Sequence, residues 1–303
     1  MRERNGTYII EGRRIREYYD QKETLIQDLT YLAKIGSYVF RGYTKQDQLL
    51  PNIIRDKNLV TNERIYLNEF EKYGSHYFVA SNPLDFLSYA QHYGLPTRLL
   101  DFSYNPFIAL SFALFQKKGV NYTEKEDRSY YYILFSNFRQ NILIKGLPVF
   151  SGLNFGGYES DSISDRCFLR ISEFIKYLNN MQQDLSDDYL EGLYACDYLS
   201  TCDKKVYIEQ VKEKIQKKRI CFVDANQSNQ RIIMQQGLFL LPYTLETSTY
   251  LSLLNNNSHV IKINKKLRDE LLAYLDTLGF NTFRLMPDLQ SVCSAITQRV
   301  SDR

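Results

Sequence analysis

Twelve consecutive residues, Ala90-Gln91-His92-Tyr93-Gly94-Leu95-Pro96-Thr97-Arg98-Leu99-Leu100-Asp101, set an imidazole, a guanidinium and a carboxylate around a chain-turning Gly-Leu-Pro. His92 is one of three histidines. Its neutral ring can act as acid or base, or hydrogen-bond a hydroxyl or an amide; at a helix end it can instead bond free carbonyls. Arg98 has the planar fork that grips phosphate. Asp101 reads as a cap or as the ion-pair partner of a buried Arg. Tyr93 can stack on a flat ring or pack in the core. Arg41 precedes Gly42. The pair is either a phosphate grip with open backbone beside it, or an Arg stapled to an interior carboxylate. Ser103 offers a hydroxyl, and Arg231 and Gln236 complete a possible polar ring. Gln can orient a ribose or an amide but supplies no full charge; Gln236 with Gly237 can equally be a plain turn.

The elements that must position these groups follow from periodicity and capping. Residues 21–34 carry Leu25, Ile26, Leu29 and Leu32 at helical spacing. Residues 37–40 are a short β-prone run, and residues 63–73 read as a helix. Ser81-Asn82-Pro83 and Asn105-Pro106 each pair a capping residue with proline at the first helical position. They open helices that end near Gly94 and at Phe115. The second is almost wholly apolar, so it must be buried on several sides. Residues 97–102 and 130–135 read as strands. Helices are expected over 168–178, 189–198 and 206–215. The last third returns to strands over 219–223, 231–234, 238–241 and 259–263. A helix over 265–278 closes at Gly279, and a terminal helix follows Met286-Pro287-Asp288.

Composition bounds the function. Of 303 residues 44% are hydrophobic, enough for a sizeable core, and the formal net charge is only +3. That balance speaks against a dedicated duplex-binding protein. A run from Lys204 to Arg219 is basic but diluted by Glu209 and Glu213, so it reads first as a solvated helix face and second as a nucleic-acid contact. No apolar stretch approaches the ~20 residues of a membrane span. The beginning of the chain is polar and lacks a signal-peptide core. Five scattered cysteines show no metal-ligand spacing, so no metal is expected and reduced thiols in the cytoplasm are.

The stretch Ala90 to Phe112, with its specific string Gln91 to Asp101, together with Phe40-Arg41-Gly42, Leu50-Pro51 with Arg55, Arg231 with Gln236-Gly237-Leu238-Phe239, and Pro287-Asp288-Leu289, resembles the FRG domain. Tyr43 and Phe102 depart from the residues frequent there. The resemblance implies a bacterial or phage protein of defence settings. A weaker similarity is to ADP-ribosyltransferases. Phe40-Arg41 looks like their first strand, and Leu99 to Ser103 running into Asn105 to Phe112 like their middle strand and helix. Asn229 to Met234, followed by Gly237 and Phe239, looks like their late strand. The position where those enzymes hold Glu offers Gln230 or Arg231.

These readings lead to one α+β domain over residues 1–303. It has a split mixed or antiparallel sheet of ADP-ribosyltransferase-like type, surrounding helices, and a helical insertion at 160–218. The expected ligand is a nucleotide or dinucleotide, with NAD as substrate. Arg41, Gly42, Tyr93, Arg98 and Ser103 would bind it, and Arg41, His92, Arg231 and Gln236 would carry catalysis. The acceptor would be nucleic acid, protein or water, in a defence or toxin role. The alternative is a non-catalytic sensor of a phosphorylated ligand or an RNA end.

Overall fold

The computed structural model describes residues 6–74, 76–77, 83–115, 130–145, 203–224, 230–242, 244–289, 292–293, 296–297 and 300. The chain opens with a hairpin, β1 (Thr7–Ile10) and β2 (Arg13–Arg16). Glu11 and Gly12, both at positive φ, make its two-residue turn. Tyr8, Ile10 and Ile15 are its buried face. Strand β3 (Tyr18–Tyr19) leads to α1 (Lys22–Ile35), β4 (Tyr38–Tyr43) and two 3-10 turns, Gln46–Leu49 and Asn52–Arg55. Next come α2 (Lys57–Thr61), α3 (Glu63–Gly74), α4 (Pro83–His92), β5 (Leu100–Ser103) and α5 (Pro106–Leu114). They are followed by β6 (Tyr130–Asn137), β7 (Ile142–Lys145), α6 (Lys204–Gln216), β8 (Cys221–Asp224) and α7 (Gln230–Met234). The last are β9 (Gly237–Leu240), α8 (Thr247–Asn256), β10 (His259–Asn264), α9 (Arg268–Thr277) and α10 (Thr282–Leu285).

Eight strands form one mixed sheet in the order β3-β10-β6-β4-β5-β9-β8-β7. The β3–β10 and β7–β8 pairs are parallel and the others antiparallel. The central strands are apolar on both sides, as a sheet covered on both faces requires. Phe40, Ile133 and Phe135 face α1, α5 and α9. Val39, Leu134, Phe102 and Leu240 face the 3-10 turns and α8.

The sheet has a seam at its centre. β4 and β6 pair over six residues, but β4 meets β5 at one pair, Phe40 and Ser103. Helix α5 lies against this region. Asn105 caps it, with Phe107 N–H donating to Asn105 Oδ1 at 2.9 Å, and Pro106 follows at the first helical position.

Three expectations need correction. Residues 231–234, read as a strand from their Ile-Ile pair, are helical in α7. Helical geometry buries Ile232 while leaving Ile233 and Met234 exposed, and packing overrides β propensity in so short a segment. The strand expected from Thr97 begins only at Leu100, so Arg98 lies in the connection after Pro96. Strands β1, β2, β3 and β7 and helices α2, α8 and α10 were not expected. The helices over 168–178 and 189–198 lie outside the described residues, as does most of the 160–218 insertion; α6 is its described part.

Candidate functional site

The first motif, Phe40-Arg41-Gly42, is absorbed by the seam. Phe40 supplies the one backbone pair with β5. Arg41 donates from Nη1 to Asp101 O at 2.6 Å, and from Nε and Nη2 to Gln48 O at 3.1 and 2.7 Å. Its guanidinium therefore spans the gap between β4, β5 and the first 3-10 turn. Burial lowers its pKa, Asp101 and Tyr250 oppose the shift, and Arg55 adds to it. An Arg side chain still keeps its charge. Gly42 makes room for α5: a Cβ there would lie 1.8 Å from Ala109 O and 2.7 Å from Ala113 N. The space expected for a ligand is filled by helix backbone.

Most of the second motif is absorbed as well. Helix α4 ends in a Schellman motif. Leu95 N–H donates to Ala90 O, and Gly94 N–H, at φ +94°, donates to Gln91 O. Gln91 then ties the following loop together. Its Oε1 accepts from Thr97 Oγ1 at 2.6 Å, and its Nε2 donates to Asp101 Oδ1 at 2.7 Å. Arg98 grips Glu63 of α3 through both carboxylate oxygens, Nε to Oε1 at 2.7 Å and Nη2 to Oε2. Arg98 and Glu63 are 5% and 4% exposed, so Arg98 is committed to the interior. Ser103, expected to offer a hydroxyl to a ligand, is buried. Its Oγ donates to Gln235 O at 2.7 Å and accepts from Asn105 N–H at 3.0 Å.

His92 and Tyr93 are what the motif leaves over. The Schellman bonds already occupy the carbonyls a helix-end imidazole could cap. His92 Nδ1 is buried with no hydrogen-bond partner. The Tyr93 ring stands edge-on to the imidazole at 4.9 Å between centroids and is 67% exposed. Arg231, half-buried on α7, is close enough for its charge to act on His92. Burial first and Arg231 second push the His92 pKa below its usual value, and Asp288 opposes them. The ring is therefore neutral at pH 7. The structure brings His92, Tyr93, Arg231 and Asp288 together. It gives Arg41 and Arg98 separate partners of their own, Gln48 with Asp101 for the first and Glu63 for the second.

A cleft of about 250 Å³ opens at the C-terminal ends of β5 and β8, beside the start of β9. Tyr104, Asp224, Ile232, Ile233, Gln236 and Gly237 line it. Gln236 sits at φ +45° in the tight turn from α7 into β9, and its carbonyl accepts from Tyr104 N–H at 3.0 Å. The Tyr104 hydroxyl hydrogen-bonds the Asp224 carboxylate; burial first and that carboxylate second raise its pKa, so the phenol stays protonated. Sequence reasoning passed over Tyr104 and Asp224. The available signal was an acid directly after an apolar strand and an aromatic directly after another.

Residues 36–121 match the family model of the FRG domain. The chain carries an FRG domain. The match holds the seam, α4 with its loop, and α5, and it ends before Arg231 and Gln236 in sequence. No curated protein and no solved structure matches the chain. Among the described residues no helix is long and apolar enough to cross a membrane, and no three His, Cys, Asp or Glu side chains cluster as metal ligands.

Proposed function

We propose that this FRG-domain chain binds a nucleotide, NAD foremost, on the rim formed by His92, Tyr93 and Arg231, and cleaves its glycosidic bond as an ADP-ribosyltransferase-like effector. One observation carries the reading. Within the Gln91 to Asp101 string the fold employs Gln91, Gly94, Thr97, Arg98 and Asp101, and it leaves the imidazole and the phenol unused. A solvent-excluded imidazole nitrogen without a partner costs stability, a cost that functional positions tolerate. Arg231 supplies positive charge for a phosphate, Tyr93 an open ring for stacking, and neutral His92 a hydrogen bond to a ribose hydroxyl. In the reaction, the bond from the ribose anomeric carbon to nicotinamide breaks, its electron pair leaving with nicotinamide. Water, a protein or a nucleic-acid nucleophile forms the new bond and gives up its proton. A role in defence or toxicity in the cytoplasm accords with the FRG resemblance.

The test is calorimetric titration of the full chain with NAD, and chromatography for released nicotinamide. The reading expects binding and slow nicotinamide release, both lost in His92→Ala and Arg231→Ala while the melting temperature stays near wild type. Binding without any product would favour the non-catalytic sensor. No binding to folded protein would end the nucleotide reading.

A further inference from the structure

Charge is divided across α7. Arg231 acts on His92 on one side, while the next two residues, Ile232 and Ile233, line the cleft that holds Asp224. A phosphate group fits the first side and is repelled by the carboxylate on the second. The cleft wall is made of a carboxylate with its phenol, the Gln236 turn and two isoleucines. A carboxylate only accepts hydrogen bonds at neutral pH, so the wall selects a ligand part rich in donors and free of negative charge. Its volume of about 250 Å³ is below the range typical of whole drug-sized ligands, which matches one part of a nucleotide better than the whole.

We infer that the cleft bounded by Tyr104, Asp224 and Gln236 is the subsite for the adenosine ribose, leaving the nicotinamide ribose to His92; in it Asp224 accepts from the sugar hydroxyls and Tyr104 holds the carboxylate in place. The assignment rests on the rim reading above and fixes the direction in which the ligand lies: phosphate over Arg231, sugar hydroxyls toward Asp224. Asp224 touches the sugar; Tyr104 is a positioning residue. Losing a hydrogen bond to a charged group corresponds to about a tenfold loss of affinity.

The test compares AMP, 2′-deoxy-AMP and inorganic pyrophosphate by calorimetry on the full chain. Wild type should bind AMP about tenfold more tightly than 2′-deoxy-AMP. Asp224→Asn should remove that preference and leave pyrophosphate affinity within twofold. Tyr104→Phe should reduce the preference partially. Ile233 is 44% exposed, so Ile233→Trp fills the cleft from its surface and guards against a misfolded Asp224 variant. It should abolish AMP binding and spare pyrophosphate. An Asp224→Asn protein that still prefers AMP, or an Ile233→Trp protein that binds AMP normally, overturns the ribose assignment and leaves the rim standing. Wild type that binds none of the three probes overturns both.

Discussion

Arg98 offers the sharpest test of whether the FRG string is built for folding or for ligand. Its guanidinium and the Glu63 carboxylate are both nearly excluded from water and meet through two hydrogen bonds. Arg98→Ala strands Glu63 as an uncompensated buried charge, a loss of about 3–5 kcal/mol. With an unfolding entropy of about 2.1 cal/mol/K per residue over 303 residues, each kcal/mol is worth about 1.6 °C, so thermal unfolding should occur roughly 5–8 °C lower. The double variant Arg98→Met/Glu63→Leu replaces the pair with apolar groups of similar bulk and should recover most of that loss. Circular dichroism melts of the three variants, beside NAD titrations, give the answer. The reasoning is refuted if Arg98→Ala melts within 2 °C of wild type yet loses NAD binding, because Arg98 would then be a ligand group.

Gly42→Ala places a methyl on the backbone of α5, where no rotamer can relieve the clash. It should destabilise by at least 1–3 kcal/mol, the usual range for overpacking, and a denaturant midpoint equal to wild type would contradict the packing described. His92 and His259 both have pKa values pulled below the imidazole norm, by burial first and, at His92, by Arg231 second. Between those values and about 6.5 the unfolded chain binds more protons, so this share of stability is present at pH 7 and is lost as pH falls through that window. The melting temperature should drop from pH 7 to pH 5, and less steeply in His92→Gln/His259→Gln. An unchanged slope in the double variant would exclude the two rings as the cause.

Local signals were readable wherever a cap and a proline coincide. Asn105-Pro106 located α5 to within a residue, and the turn residues Gly94 and Pro96 located the end of α4. The β1–β2 hairpin escaped because Arg13-Arg14-Ile15-Arg16 buries a single side chain, too little alternation to register. The Ile-Ile pair of α7 read as strand because propensity sees the side chains and not the packing that demands a helix. In the site, residue type identified His92, Tyr93 and Arg231 as groups worth watching. It could not distinguish them from Arg41 and Arg98. Guanidinium chemistry suits a phosphate and a carbonyl or carboxylate equally, and the deciding partners, Gln48, Asp101 and Glu63, lie up to 60 positions away.

A sheet resists shear in proportion to the rungs that join its strands. Across the middle of this one there is a single rung, from Phe40 to Ser103, and beside it one cationic arm from Arg41. The two flanks, β3-β10-β6-β4 and β5-β9-β8-β7, are thus joined at the seam by one backbone pair, by the Arg41 side chain and by helix α5 packed against both β4 and β5. Asp101 belongs to β5 itself, so any shift of that strand pulls directly on the arm. The mid-sheet junction is the place where a local disturbance passes from one flank to the other.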